Sequence, residues 1–356
     1  SSLRSSTSYA SSPETQDRRI HVKRVAVNGM GRIGRLVVRS LLECEDVELV
    51  AVNDIASMET IAYLLAHSTE YGALGERVSF DEAAGVLTIG EKAVRAFREP
   101  DASALPWREL GIDVVLECSG AYCSRAKAEA HIDAGAKRVL ISAAAGSDVP
   151  TVVFGINDSI LTESDDIISA ASCSTVGLAP FAKALNEVAP ICQGIATTIH
   201  ALTPSQMTLD DAQPKGNLRR SRTASENIIP TTAAFAQAVG LVLPELQGKL
   251  SGYAIRVPVT RGSLSTLYAV VSYGGEGALD ADRLNELMHA QESWMFGYTE
   301  EELVSSDIAG TDLYSIFDAT QTKVSPLEEG YLVEVAAWFD NETSYVSQYV
   351  KLLRSL

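Results

Sequence analysis

Positive charge is scarce in this chain: 29 lysines and arginines stand against 46 aspartates and glutamates, a formal net charge of −17. Such a surface repels nucleic-acid backbones and anionic membrane surfaces, so neither is an expected partner. Any phosphate site must then be assembled locally from a few arginines and backbone amides. Long apolar runs are missing too; none approaches the ~20 residues of a membrane helix. Cysteine is sparse and unpatterned. The five, Cys44, Cys118, Cys123, Cys173 and Cys192, are odd in number, lack CxxC spacing and have no clustered histidines near them. This argues against a zinc site or a disulfide framework and for a reducing compartment, so no metal is expected and a cytoplasmic location is.

The remaining composition, 46% hydrophobic and 21% charged over 356 residues, is that of a globular protein too long for one ordinary core, and two domains are expected. Residues 1–21 are rich in serine, threonine and arginine and have neither apolar periodicity nor a secretory apolar segment. They read as a disordered leader, an expression remnant or a trimmed targeting segment. Glu14 and Asp17 weaken the import reading without removing it.

From Val22 the pattern changes to strand, glycine turn, helix, strand: residues 24–28, then Leu36, Val37, Ser40 and Leu41 at helical spacing, then 47–53. Short apolar runs at 114–117, 139–142, 152–155 and 167–170, with a helical stretch at 124–134, extend this βαβ unit into a parallel α/β sheet. After Cys173 a helix is expected near 178–188, followed by longer strands at 194–200, 252–258 and 264–273 that suggest an antiparallel sheet faced by helices. A final amphipathic helix over 345–356 can pack back on the first domain. The expected organisation is a Rossmann dinucleotide-binding domain over 22–171, completed by helix 344–356, and an α+β catalytic domain with a mainly antiparallel sheet over 172–343.

Two constellations carry chemistry. Gly29-Met30-Gly31-Arg32-Ile33-Gly34 follows a strand and opens a helix, and Asp54 ends the next strand 20 residues after Gly34. In that setting Gly29 permits a tight turn, Gly31 lets the backbone approach a pyrophosphate and Gly34 allows close packing of helix on strand. Asp54 is placed to accept hydrogen bonds from an adenine ribose and would repel a 2′-phosphate, which favours NAD over NADP; the alternative is an ordinary turn carboxylate. The second constellation is Cys173, at a strand-to-helix turn, with His200 ending a later strand. A nucleophilic thiolate needs a cationic neighbour or a helix N-terminus, and an imidazole can serve as general base when hydride leaves a hemithioacetal. A histidine after a strand is otherwise a structural hydrogen-bonding residue, so spacing alone leaves both roles open.

Longer stretches resemble one family. Asn28-Gly29-Met30-Gly31-Arg32-Ile33-Gly34-Arg35, Val52-Asn53-Asp54, Ala171-Ser172-Cys173-Ser174-Thr175, Asn227-Ile228-Ile229-Pro230-Thr231-Thr232, Leu243-Pro244-Glu245-Leu246, Arg256-Val257-Pro258 and Trp338-Phe339-Asp340-Asn341-Glu342 are similar to phosphorylating glyceraldehyde-3-phosphate dehydrogenases, as is the 27-residue spacing of Cys173 and His200. The likeness runs from about Val22 to the C-terminus. It implies Cys173 as nucleophile and His200 as its partner. Arg32 and Ile33 would meet the pyrophosphate and adenosine side, Arg98, Ser119 and Gly120 the adenine region and its approach, and Ser142, Asn341 and Tyr345 would complete the cofactor site. Asn341 would bind the nicotinamide carboxamide. Thr203 and Arg256 match a site for the substrate phosphate, and Ser172, Ser174, Arg220 and Thr232 one for attacking inorganic phosphate. Read without the resemblance, Arg220 is part of a solvated loop and Thr203 caps a turn with Pro204. The resemblance further implies a homotetramer acting on a small phosphorylated aldehyde and inorganic phosphate.

Departures from the family pattern are also present. Val176 and Gly177 stand where an Asn and a second Cys are usual, and Ala170 replaces an Asn. Ala233 and Ala234 replace a Thr and a Gly; losing that hydroxyl would cost ~1 kcal/mol of oxyanion binding. Val259-Thr260-Arg261-Gly262 and Thr343-Ser344-Tyr345 differ as well, and Asp211-Ala212 takes the place of a Leu-Pro pair tied to NAD preference. These changes keep two other readings in view: an erythrose-4-phosphate or related phosphorylated-aldehyde dehydrogenase, and a non-catalytic NAD-binding regulatory protein.

Overall fold

The structure, a computed structural model, describes residues 22–232 and 235–356. The expectations for residues 1–21 and for Ala233 and Ala234 lie outside the described residues.

The first half builds a parallel sheet. Strands β1 (Lys23–Asn28), β2 (Val47–Asn53), β3 (Lys92–Phe97), β4 (Val114–Glu117), β5 (Arg138–Ile141) and β6 (Ile167–Ser169) lie in the order β3-β2-β1-β4-β5-β6, every neighbouring pair parallel. Val25, Ala26, Val27, Val115 and Leu116 are fully buried, as a sheet covered on both faces requires. The order reverses between β1 and β4. A crevice opens beyond the carboxyl ends of strands at such a switch point, where doubly wound folds bind dinucleotides. This is the expected Rossmann arrangement.

Three strands of this sheet went unforeseen: β3 itself, and Val78–Asp81 and Val86–Ile89, which extend the β3 edge antiparallel. The apolar run 152–155 is not a strand. Thr151 makes one bridge to Ser169, and then the Asn157 side chain captures the Val153 N–H at 2.9 Å and that of Asp158 the Gly155 N–H at 2.6 Å. Those carboxamide and carboxylate bonds turn the chain instead of extending it.

Helix α1 (Arg32–Leu41) leaves the glycine turn and buries Leu36, Val37, Val38 and Leu41. The turn is tight by necessity. Gly29 has φ +96°, and a Cβ there would stand 2.3 Å from the backbone nitrogen of Ser119; one on Gly34 would stand 1.9 Å from the Gly29 carbonyl oxygen.

Helix α2 (Cys173–Val188) crosses into the second half. There β7 (Ile191–His200), β8 (Ile229–Thr231), β9 (Leu250–Arg256), β10 (Ser263–Val271) and β11 (Tyr331–Phe339) order as β8-β9-β7-β10-β11, continued by shorter strands at Ser315–Asp318 and Phe296–Thr299. The sheet is mainly antiparallel, as expected, except that β7 runs parallel to β9 and Phe296–Thr299 parallel to Ser315–Asp318. Helix α3 (Thr343–Ser355) returns to the first sheet: Tyr349 donates to the Leu140 carbonyl at 2.6 Å and Lys23 to that of Leu353 at 2.8 Å. One apolar core runs from β1 through α2 to β11. Among the described residues, no helix is long and apolar enough to cross a membrane.

Replacing Gly29 by Ala forces both a left-handed alanine and a backbone clash, for a destabilisation of ~2 kcal/mol or more. Gly31, with φ −66° and nothing within 4 Å of a Cβ position, has no such constraint. Thermal melting should therefore fall by several degrees for Gly29→Ala and by less than ~1 °C for Gly31→Ala. Equal melting of the two variants would contradict this account of the turn.

Candidate active site

The register of β7 and β9 brings two functional side chains to one edge. His200 and Arg256 are partners at the ends of this parallel pair, so both outgoing loops emerge on the same side. From the first sheet, β6 ends at Ser169 and α2 begins at Cys173. The connection passes through Ala171 at φ 58°, the one non-glycine residue with positive φ among the described residues, an unfavourable state for an alanine. It is held by three bonds: Ser169 Oγ accepts from the Ala171 N–H at 3.2 Å, Tyr345 donates to the Ala171 carbonyl at 3.4 Å, and Gln348 donates to that of Ala170 at 2.9 Å. Ser172 then caps α2, accepting from the Thr175 N–H at 3.2 Å.

The result is a close pair. Cys173 Sγ lies 3.3 Å from His200 Nε2. On the far side of the ring, Nδ1 is 2.8 Å from the Ala201 carbonyl oxygen and 2.5 Å from Arg256 Nη1, which also donates to that carbonyl at 3.0 Å. The Phe339 ring stands edge-on to the imidazole, 6.0 Å between centroids. Gly177 makes room for it, since a Cβ there would lie 2.5 Å from the phenyl ring. The glycine that departs from the family pattern is thus matched to this phenylalanine.

Electrostatics follow from burial and from Arg256. Burial, then the Arg256 charge, pushes the His200 imidazole down to about 3, so it is uncharged near neutrality. Burial pushes the Cys173 thiol up, against the pull of Arg256 and of hydrogen bonds from Ser174. Burial also lowers Arg256, to about 10. The thiolate therefore depends on the guanidinium and on the free amides opening α2.

Cys173 and the glycine turn share one cavity of about 400 Å³. Gly31, Arg32 and Ile33 line one end, Ser172, Cys173 and Thr203 the other, with Ser119, Ser142, Asn341 and Tyr345 between. Arg32 reaches across it, donating to the Leu202 carbonyl at 3.1 Å and pairing with Glu342. Asp54 sits beside the turn, accepting from the Met30 and Ala56 N–H groups at 2.6 and 2.8 Å. Arg98 donates to the Ile55 carbonyl at 2.9 Å, and Gly120 is exposed; neither lines the cavity. Beneath the crevice is a buried network that the sequence did not signal. Glu117 accepts from Ser119 Oγ at 2.5 Å and from Asn28 at 2.6 Å and lies 3.1 Å from His131 Nε2, while Trp107 donates to His131 Nδ1 at 3.0 Å.

Among the residues expected to meet phosphate, Thr203 Oγ1 and Ser205 Oγ are 2.9 Å apart, and Arg220 donates to Ser205 at 3.1 Å and to Thr231 Oγ1 at 3.0 and 3.2 Å. Ser174 is buried in the first turn of α2. Thr232 is exposed, and it is the neighbouring Thr231 that meets Arg220. Ser205 and Thr231 were not singled out from sequence; the alternation of Thr203 and Ser205 was the available signal. Among the described residues, no group of three or more His, Cys, Asp and Glu could hold a metal ion.

The sequence is similar to known proteins over most of the chain. Residues 23–125 fit the family model described as the NAD binding domain of glyceraldehyde 3-phosphate dehydrogenase, and 172–341 the one described as its C-terminal domain. Proteins named glyceraldehyde-3-phosphate dehydrogenase from Clostridium pasteurianum and Lactobacillus delbrueckii subsp. bulgaricus are 44% identical over 330 and 335 residues, each match covering 93% of this chain and 97% of the relative. The chain belongs to the glyceraldehyde-3-phosphate dehydrogenase family. One from Streptococcus pyogenes is 42% identical over 333 residues. As a member of that family the protein is an enzyme, an NAD-dependent oxidoreductase, and NAD is its cofactor. The crevice fits it: Gly31 leaves open space where a side chain would stand, and Asn341, its Oδ1 held by Ser263, lines the cavity.

Removing the guanidinium tests the electrostatic account. In Arg256→Met the His200 ring loses a neighbouring positive charge, so its pKa must rise from about 3 toward the ordinary histidine value. Nitrogen-15 NMR of labelled histidine should show protonation beginning at higher pH; an unmoved titration would show that burial alone keeps the ring neutral.

Proposed function

We propose that the enzyme oxidises D-glyceraldehyde 3-phosphate to 1,3-bisphosphoglycerate through a thioester on Cys173. The observation that carries this reading is the 3.3 Å approach of Cys173 Sγ to His200 Nε2 in the cavity that also contains the glycine turn. NAD, when bound, supplies the hydride acceptor. Gly31, Arg32, Ile33 and Asp54 would hold its pyrophosphate and ribose, and Asn341 its carboxamide.

Cys173 attacks the aldehyde carbon, forming a C–S bond as the carbonyl π bond breaks; the amides at the start of α2 steady the oxyanion, which takes up the thiol proton by way of His200 Nε2 to give the hemithioacetal hydroxyl. His200 acts from the tautomer whose Nδ1–H donates to Ala201, leaving Nε2 as base. As the carbonyl forms and hydride departs, Nε2 takes the hydroxyl proton of the hemithioacetal. A phosphate oxygen then attacks the thioester carbonyl, the C–S bond breaks and the thiolate returns. Arg256 and Thr203 would hold the substrate phosphate. Ser172, Ser174 and Arg220, joined by Ser205 and Thr231, would hold the attacking one.

The division at about residue 171, with 344–356 completing the first unit, is part of this proposal, because it sets the cavity at the seam. So is a homotetramer. Ile195, Tyr253, Tyr268 and Leu332 are 41–54% exposed on the strands of the second sheet, an apolar face that a second copy would cover.

Cys173→Ser should reduce NADH formation by more than ~10³-fold; near-parental turnover would reject the covalent route. With the parent enzyme, NADH formation that proceeds equally without phosphate would show water as the acceptor instead. Light scattering should give four times the chain mass, and Tyr268→Asp should lower it; a monomeric parent would exclude the tetramer.

A further inference from the structure

Asn341 has a fixed backbone and one side-chain bond. Asp340 Oδ1 accepts from the N–H groups of Glu342 and Thr343 at 2.8 and 3.0 Å, and its Oδ2 from that of Gly310 at 2.7 Å, while Ser344 Oγ accepts from the Asp340 N–H at 3.0 Å. These bonds set the main chain but leave the carboxamide of Asn341 free to present either end. Ser263, the first residue of β10 and 1% exposed, decides which. Its hydroxyl oxygen lies 3.1 Å from the Ala201 nitrogen and 3.3 Å from Asn341 Oδ1.

The roles at that hydroxyl follow from elementary chemistry. A backbone N–H can only donate, so Ser263 accepts from Ala201, and its proton is left for Asn341. The structure directs that proton to Asn341 Oδ1, so the oxygen end of the amide is taken by Ser263 and Nδ2 is the end left for a ligand. The same hydroxyl fixes Ala201, whose carbonyl meets His200 Nδ1. It therefore joins the segment behind the base to the amide at the nicotinamide end.

We infer that Ser263 is a positioning residue for NAD: it orients Asn341 so that Nδ2 donates to the carboxamide oxygen, and thereby selects the ring face that receives hydride. The inference rests on the assignment of Asn341 to the carboxamide. With Ser263→Ala the amide flips freely. An acceptor then faces the carboxamide oxygen part of the time, and the cofactor binds in mixed orientations.

The test compares full-length parent, Ser263→Ala, Asn341→Ala and the double variant, with NAD varied at saturating glyceraldehyde 3-phosphate and phosphate. Ser263→Ala should raise the KM for NAD about 5–10-fold, the loss of roughly one hydrogen bond, with a smaller change in kcat. Aldehyde deuterated at C1 should place a measurable fraction of label on the minor face of NADH. In the Asn341→Ala background, Ser263→Ala should add less than about 2-fold, because coupled residues are not additive. Parental KM and intact stereochemistry in Ser263→Ala would overturn the inference, as would a full effect persisting without Asn341. Asn341→Ala with an unaltered KM would remove the carboxamide assignment and this inference together, while leaving the Cys173 chemistry to be judged by Cys173→Ser.

Discussion

His200 is stripped of water beside a guanidinium, so a protonated ring there would face both desolvation and like-charge repulsion. The imidazole consequently stays neutral with Nε2 directed at sulfur, and the rest of the site is arranged around that condition. A parallel pair inside a mostly antiparallel sheet makes it possible. Because β7 and β9 finish at the same edge, Arg256 stands beside the ring and donates to the neighbouring Ala201 carbonyl. A hydrophobic wall completes the arrangement: Phe339 covers the ring and Gly177 leaves the volume for Phe339. In a close-packed interior neither residue could change size alone.

The two halves are tied together where the cofactor crevice meets the thiol. Arg32, at the first turn of α1, bonds the loop after His200 and pairs with Glu342. Tyr71 donates to the same carboxylate at 2.7 Å, and Arg261 lies over the Tyr71 ring, 5.4 Å from its centre. Arg261 falls in the segment that departs from the family pattern, and the structure gives it a place in this junction. The side chain expected at the pyrophosphate is therefore also a strut between sheets.

Much of the fold was written in local pattern. The strand–glycine–helix unit, the switch-point sheet and the mainly antiparallel second sheet follow from apolar runs with turn residues between them, and the family and its cofactor from motifs that span the chain. Failures came where side chains overrule pattern. Residues 152–155 look like a strand until Asn157 and Asp158 capture their amides. Within the site, the pairing of Cys173 and His200 came from the family resemblance, since their places at element ends left both roles open. Ser205, Thr231, Ser263 and the Glu117–His131 network could not be read from sequence, since common residue types acquire meaning only through tertiary neighbours. Left-handed Ala171 had no signal at all: that conformation favours glycine or asparagine, and alanine seldom adopts it.

That alanine has a consequence for how the protein is made. The carbonyls of Ala170 and Ala171 are anchored by Gln348 and Tyr345 of α3, roughly half the chain away from the nucleophile they position. During synthesis the thiol is complete long before α3 leaves the ribosome, since chains emerge vectorially and fold domain by domain. Until those residues dock, the turn ahead of Cys173 has only the Ser169 bond to set against its strain. A product truncated before α3 would carry the cysteine without two of the three bonds that hold its turn.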